Sequence, residues 1–130
     1  MEQIRELLKA PKARGHVALG GVHLYLRVTR RVDPNSNSFH DTLDLASVEV
    51  EERGRGAFSR FLVQLLKELG RVLYVENVME ERFQAYWERL GAVSDRRHEP
   101  PSYWLHPDQF PRAIQILEEG YISRLQEESV

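Results

Sequence analysis

The sequence has no cysteine among its 130 residues, and this absence restricts its chemistry. It excludes disulfide bonds, thiolate nucleophiles and thiolate metal ligands. Because disulfides are typical of oxidising compartments, we expect a cytoplasmic protein. The longest apolar runs fall far short of the roughly 20 residues that span a bilayer, so we expect no membrane partner. The opening MEQIRELLKA mixes charged and apolar side chains, which indicates a short amphipathic helix and not a signal peptide.

The sequence also lacks a strong net charge. Lysine and arginine number 18 and aspartate and glutamate number 20, which gives a net charge of −2. Nucleic-acid-binding proteins are usually more basic, so nucleic acid is not the partner that we expect. The basic residues gather locally, in RVTRR (Arg27–Arg31) and at Arg53, Arg55 and Arg60. Such local clusters suit a small anionic ligand.

Histidine spacing gives no indication of a metal site. The five histidines are His16, His23, His40, His98 and His106. No two of them form the H-x-x-x-H pair that places two imidazoles on one face of a helix. The sequence therefore predicts no metal.

Two segments have the alternation of a β-strand. Apolar residues occupy every second position in Val22–Val28, as in a strand with one buried face. In the segment Thr42–Val50 the apolar residues move from odd to even positions at Ala46–Ser47. One extra residue in a strand has this effect, so the pattern predicts a β-bulge there; a strand buried on both faces near that point is the alternative.

The middle of the chain is predicted to form a strand, a glycine loop, a helix, a strand and a second helix. The segment Phe58–Leu69 has one apolar stripe and is followed by Gly70, the residue type expected just after a helix. Val72–Val75 is a short apolar run typical of a buried strand. The second helix is expected from about Met79 to Gly91. Its predicted apolar face consists of Met79, Phe83, Tyr86 or Trp87, and Leu90.

These elements predict one domain over residues 1–130. A helical crossover makes the two central strands parallel neighbours. Two short strands and a proline-containing loop are expected after Gly91, and residues 107–128 are expected to form a C-terminal helix that docks on the domain or on a partner. The expected fold class is α/β (α+β), with a mixed central sheet, a bulged strand, flanking helices and the C-terminal helix.

The segment VEVEERGRGAFSRFLVQLLKELG, from Val48 to Gly70, places glycines between a strand and a helix. Such glycines let the backbone approach a phosphate closely, and the start of the helix offers unpaired N–H groups. The P-loop pattern G-x-x-x-x-G-K-[ST] is absent. The dinucleotide pattern G-x-G-x-x-G is broken, because Ser59 stands in the position of its third glycine.

The segment LASVEVEERGRGA resembles motif A of the GNAT superfamily, the acyl-CoA-dependent N-acetyltransferases. That motif, Q/R-x-x-G-x-G/A, lies at the turn between a bulged strand and a helix, and Arg53, Arg55, Gly56 and Ala57 match it. The resemblance extends from about Leu43 to Val93. It implies a GNAT-like fold and transfer of an acetyl group from acetyl-CoA to an amine.

The resemblance also implies which residues bind the cofactor. The main chain near Val48 would polarise the thioester carbonyl. The implied cofactor-binding residues are Val48, Val50, Arg53, Gly54, Arg55, Gly56, Ala57, Phe58, Ser59 and Asn77. Asn77 could instead cap the next helix. Phe58 departs from the small residue of the family and either crowds the cofactor or points inward with the apolar stripe.

Two residues are the implied catalytic candidates. Glu76 closes the strand LYVE, where some family members have a glutamate that takes a proton from the amine through water. A glutamate at the end of a strand is also common without a catalytic role, and Glu49 is a weaker candidate. Tyr86 could protonate the leaving thiolate, although the position of the family's tyrosine is occupied by Trp87, about 100° away around the helix. Tyr86 could equally be a core residue.

Other functions remain open from the sequence. The chain could keep a GNAT fold without catalysis and act as an interaction module through its C-terminal helix, with weak or no acyl-CoA binding. A nucleic-acid binder that uses RVTRR is disfavoured by the net charge. The sequence does not identify the amine acceptor, which could be a small molecule or a protein, and it leaves a homodimer open.

Overall fold

The computed structural model describes residues 1–33, 36–95, 97 and 99–128, with side chains through residue 120. The helices are α1 (Glu2–Leu8), α2 (Ala57–Glu68), α3 (Glu81–Arg89) and α4 (Phe110–Glu128), and a 3-10 turn at Pro107–Gln109 precedes α4. The strands are β1 (Arg14–Leu19), β2 (Val22–Asp33), β3 (Ser38–Val50), β4 (Val72–Val75), β5 (Val93–Asp95) and β6 (Ser102–Leu105).

The six strands form one mixed sheet in the order β1-β2-β3-β4-β6-β5. β3 and β4 are parallel and are connected through α2, and the other neighbouring pairs are antiparallel. The predicted mixed sheet with flanking helices and a C-terminal helix is confirmed, and so is the parallel pairing of the two central strands.

All four helices contribute to one core against the same face of the sheet. Ile4 of α1, Leu62 of α2, Trp87 of α3 and Ala113 of α4 are fully buried in it. The sheet residues in this core alternate along the strands and include Leu24, Leu26, Leu43, Leu45, Leu73, Val75, Tyr103 and Leu105. The intervening residues lie on the opposite face, which we call the polar face; they include Arg27, Arg31, Asp44, Tyr74, Glu76 and Trp104.

The predicted β-bulge is confirmed. Tyr25 of β2 lies opposite Ser47 of β3, whereas the next residue, Leu26, lies opposite Leu45. Ala46 is therefore the extra residue, and it has no partner on β2. An inserted residue of this kind reverses the inward and outward positions of everything beyond it, which explains the change of phase in the sequence.

Several local predictions were wrong. Met79 is 78% exposed and precedes α3, and the buried Val78 takes the inward position expected for it. The position of Gly70, by contrast, is confirmed, because it directly follows Leu69, the C-cap residue of α2. The first strand, β1, was not predicted, since only Val17 of its six residues is buried.

The C-terminal helix docks on the core through its first half. Phe110, Ala113 and Leu117 are buried there, and Glu118 forms a 3.1 Å ion pair with Lys67 of α2. The apolar spacing of this helix continues in the sequence at Tyr121, Ile122 and Leu125, whose side chains lie outside the described part of the chain. Among the described residues, no helix combines the length and apolar character needed to cross a membrane.

Candidate functional site

The two parallel strands separate at the bulge. Their last pairing is between Leu45 and Val75, followed by a 3.0 Å hydrogen bond from the Glu76 N–H to the Leu45 carbonyl. β3 continues for five more residues to Val50, whereas the chain leaves β4 after Val75 and turns toward α3. Beyond Leu45, β3 therefore pairs with β2 and no longer with β4 among the described residues, and we call the side of β3 that β4 has left the gap.

The main chain of β3 directs polar groups into this gap. The Glu51 N–H donates to the Gly21 carbonyl on the β2 side. Because the directions of main-chain groups alternate along a strand, those of Val48 and Val50 point to the other side, where β4 has ended. The bulge causes this change of direction. Before the bulge, the main-chain groups of the odd-numbered Leu45 point toward β4; after it, those of the even-numbered Val48 and Val50 point to that side. The gap is thus lined by main-chain groups that suit an extended ligand containing amides.

The glycine loop lies at the end of β3 and leads into α2. Gly54 and Gly56 both have left-handed backbone conformations, with φ of 82° and 75°, which most other residues adopt only with strain. Gly56 is the N-cap of α2, and the first intrahelical bond runs from the Arg60 N–H to the Gly56 carbonyl. The N–H groups of the first turn of α2 come before this bond, so they have no partner within the helix. They face the loop, as does the positive end of the helix dipole. An arrangement of this kind suits an anion.

The two arginines of the loop are exposed. Arg53 contacts Glu80 at 3.2 Å and Arg55 contacts Glu52 at 3.7 Å, with all four side chains more than half exposed. Surface ion pairs of this kind contribute little to stability, so both arginines can exchange their partners for a phosphate at small cost.

Phe58 points into the core and away from the loop. It is 9% exposed, and its ring packs edge-on against Phe83, Tyr86 and Trp87 at centroid distances of 5.5 to 5.9 Å. The inward alternative is therefore confirmed. Although phenylalanine is large, its ring therefore does not occupy the space before α2.

Ser59 and Tyr86 join the start of α2 to α3. Their hydroxyl groups lie 2.9 Å apart. Both residues line a groove of about 590 Å³ that also contacts Gly56, Arg60, Arg89 and Ile116 of α4. Tyr86 is half-buried at this groove, whereas Trp87 is fully buried among the aromatic rings. The one-residue offset from the family pattern therefore places a hydroxyl at the groove and an indole in the core.

Asn77 does not cap the following helix. The N-cap of α3 is Glu80, three residues later. Asn77 instead has a left-handed backbone, with φ of 49°, and its N–H donates to the Ser102 hydroxyl at 3.0 Å. The capping prediction is therefore wrong, and Asn77 marks the sharp turn by which the chain leaves β4 at the gap.

Glu76 lies on the polar face of the sheet, on the other side from Tyr86. Its Oε1 accepts hydrogen bonds from Arg27 at 3.1 Å and from Arg31 at 2.8 Å. Its Oε2 has no partner among the described residues, and the side chain is 13% exposed. The carboxylate is thus fixed by two guanidinium groups with one oxygen available.

Two of the three arginines of RVTRR, Arg27 and Arg31, form ion pairs on the polar face, whereas Arg30 is exposed. Besides Glu76, Arg31 contacts the buried Asp44 at 2.8 Å and stacks on Tyr74, with the guanidinium carbon 4.1 Å from the ring centre. Asp44 also accepts hydrogen bonds from the hydroxyls of Thr29 and Thr42. Sequence spacing did not reveal this network, because its members are neighbours across three different strands.

A second acidic group on the polar face has a strongly shifted pKa. Hydrogen bonds from Arg97, opposed by burial, lower the pKa of Asp95 to about 2. Trp104 also donates to this carboxylate from its indole nitrogen, at 3.3 Å. Burial raises the pKa of the adjacent Tyr74. Asp95 and Trp104 belong to the β5–β6 hairpin, and Tyr74 lies on the neighbouring strand β4, opposite Trp104.

Three further polar residues meet at the opposite end of the sheet. Asp33, His40 and His106 each bring one potential ligand atom within 4.8 Å of the others. The sequence predicted no metal from the spacing of the histidines, and that prediction did not consider residues brought together by strands.

Comparisons with protein-family models, with curated proteins and with solved structures found no match for this chain. The function is therefore argued from the residues and geometry of the chain itself.

Proposed function

We propose that this protein is a GNAT-type N-acetyltransferase, which transfers the acetyl group of acetyl-CoA to an amine of a small molecule or a protein. The observation that carries the proposal is the gap between β3 and β4, which begins at the bulge and lies beside the glycine loop and the start of α2, where no side chain caps the helix. This geometry agrees with the resemblance of the sequence around Arg53–Ala57 to the acyl-CoA-binding motif.

Acetyl-CoA has chemical groups that match the parts of this site. Its pyrophosphate would lie on the first turn of α2, over Gly54 and Gly56, with Arg53 and Arg55 turning toward it. Its pantetheine arm contains two amides and would bind in the gap like an added strand, against the main chain of Val48 and Val50. The inward position of Phe58 leaves this path open.

Transfer requires attack on the thioester carbonyl, cleavage of the carbon–sulfur bond and two proton transfers. The amine nitrogen attacks the carbonyl carbon, and the carbonyl electron pair moves to oxygen, where the Val48 N–H would stabilise the charge. The electron pair on oxygen then re-forms the carbonyl, the carbon–sulfur bond breaks, and the thiolate leaves with the two electrons of that bond. The amine gives its proton to a base, for which we propose Oε2 of Glu76, directly or through a water. The thiolate takes up a proton, for which the Tyr86 hydroxyl is the proposed donor.

Cofactor binding is tested first, by calorimetry with CoA and acetyl-CoA. We expect a dissociation constant between about 1 μM and 1 mM, the usual range for enzyme substrates. Gly56→Trp, which adds a bulky side chain and strains the left-handed backbone, should weaken binding at least tenfold. Gly91→Ala is the matched control, because Gly91 also has positive φ (92°) but ends α3 away from the loop. The absence of binding by the wild type at millimolar ligand would exclude the proposal.

Catalysis is tested separately, by detecting free CoA with a panel of small amines and peptides. Glu76→Gln keeps the size of the side chain and should lower kcat by about 100-fold or more while the affinity for CoA stays the same. Tyr86→Phe should lower kcat and keep the aromatic packing. If CoA binds and no amine in the panel is acetylated, the chain is better described as an interaction module with a retained cofactor fold.

A further inference from the structure

Asp33, His40 and His106 form a cluster, here called the His–His–Asp cluster, at the loop end of the β2–β3 hairpin and the end of β6. Asp33 ends β2, His40 lies near the start of β3, and His106 follows β6. One ligand atom of each lies within 4.8 Å of the other two, and the His106 Nε2 is 3.2 Å from the Asp33 Oδ2. The topology of the sheet therefore creates this cluster, and local sequence spacing does not predict it.

A second observation at the same place points to a missing ligand. The Nε2 of His40 is buried and has no hydrogen-bond partner among the described residues. Buried polar atoms in native proteins are almost always paired with protein, water or an ion. An imidazole nitrogen held without a partner beside a second imidazole and a carboxylate suits a metal ion.

We propose that the His–His–Asp cluster binds a zinc ion. Two imidazoles and a carboxylate are a common zinc ligand set, and such ligands favour zinc over calcium or magnesium, which prefer oxygen ligands. Tetrahedral zinc with bonds of 2.0 to 2.1 Å places its ligand atoms roughly 3.3 Å apart. The His106–Asp33 pair already has this separation, and the third ligand atom needs only a small side-chain adjustment.

Three protein ligands leave the fourth position of the zinc ion open. The two histidines also line a groove of about 600 Å³, together with Asp41, Arg71 and Asp108. The open position would therefore hold water or an anion that reaches the ion through this groove, with Arg71 as a positively charged neighbour.

The zinc site is separate from the proposed acetyl-CoA site. Val48 is eight residues beyond His40 along β3, a distance of roughly 26 Å along an extended strand. The ion would link the end of the β2–β3 hairpin to the chain after β6. Because the ion binds the folded chain through all three residues, zinc should stabilise the fold whether or not the protein binds acetyl-CoA.

The test uses the full chain without a histidine tag, treated with a chelator and then dialysed. Calorimetry with zinc chloride should give one ion per chain, and zinc should raise Tm by several degrees. Cobalt should bind at the same stoichiometry and give the visible absorption of a four-coordinate ion. The double variant His40→Gln/His106→Gln should weaken zinc binding at least 100-fold and lose the rise in Tm.

Two further variants keep the test decisive. Asp33→Asn preserves the shape of the side chain and should weaken zinc binding at least tenfold, which covers the case in which the double variant does not fold. His23→Gln removes an exposed histidine that contacts Glu51 at the other end of the hairpin, and it should leave zinc binding unchanged. The proposal is overturned if the folded cluster variants bind zinc as tightly as the wild type, or if His23→Gln weakens binding as much as they do.

Discussion

Replacing Phe58 by alanine tests whether this residue belongs to the core or to the cofactor path. Phe58 is 9% exposed, and its ring packs against Phe61, Phe83, Tyr86 and Trp87. Truncating a phenylalanine in such surroundings removes its buried apolar surface and leaves a cavity, which typically costs about 3–5 kcal/mol. Since a domain of this size is stable by about 5–15 kcal/mol, Phe58→Ala should remove a large part of the free energy of unfolding.

The assay is urea unfolding followed by tryptophan fluorescence, because Trp87 contacts Phe58 directly. The midpoint should fall while the slope m stays constant, as expected when a native contact is lost without a change in the surface exposed on unfolding. Phe39→Ala is the matched control. Phe39 is 63% exposed, with the Arg30 guanidinium 5.3 Å from the centre of its ring, so its removal should cost less than about 1 kcal/mol.

The opposite result would refute the inward position of Phe58. If Phe58→Ala costs no more than Phe39→Ala and at the same time strengthens CoA binding, the ring occupies the cofactor path. Phe58→Leu separates the two roles further, since it keeps most of the apolar volume. We expect it to fold, to lose about 1–2 kcal/mol and to bind CoA with unchanged affinity.

The remaining predictions concern the polar face. Because the pKa of Asp95 is lowered to about 2 from 3.8, the unfolded chain binds more protons between these values, and stability should fall as the pH is lowered through this range. Asp95→Asn should remove that dependence and cost about 2 kcal/mol at neutral pH, measured by urea unfolding at a series of pH values. Asp44→Asn should cost about 2–4 kcal/mol, because it leaves Arg31 without its buried partner. The measurement is urea unfolding of Asp44→Asn and of the double variant Arg31→Met/Asp44→Leu, which removes both charges of the pair. A double variant that is no more stable than Asp44→Asn would contradict the explanation.

Periodicity predicted the parts of the fold in which one face is consistently buried. The stripe of α2 and the alternation of β2 were sufficient to place both elements, and the change of phase in β3 placed the bulge at Ala46–Ser47, where Ala46 is the extra residue. These features depend only on which side of an element meets the core. β1 escaped prediction because it is an edge strand with one buried residue, Val17, so its sequence has little alternation to detect.

The candidate site was predictable only where its residues are consecutive. The glycine loop and the start of α2 form one segment, so its residues could be named from the sequence. The partners of Glu76, by contrast, come from β2, and the ligands of the His–His–Asp cluster come from positions 33, 40 and 106. Such contacts are fixed by strand order and register, which composition and spacing do not encode directly. The prediction that Met79 lies on the apolar face of the second helix was wrong for a local reason. That helix, α3, begins at Glu81, two residues later than the apolar pattern suggested.

The long β2–β3 hairpin has a consequence for how the chain folds. Its two strands, of 12 and 13 residues, are separated by only four residues, so closing this loop costs little conformational entropy. The pairing of β3 with β4 requires a connection of 21 residues, and that of β4 with β6 one of 26. We therefore expect the hairpin to form early and the docking of β4 and β6 to limit the folding rate. The gap beside the bulge would then be the last part of the sheet to take its shape, because its second wall arrives with β4.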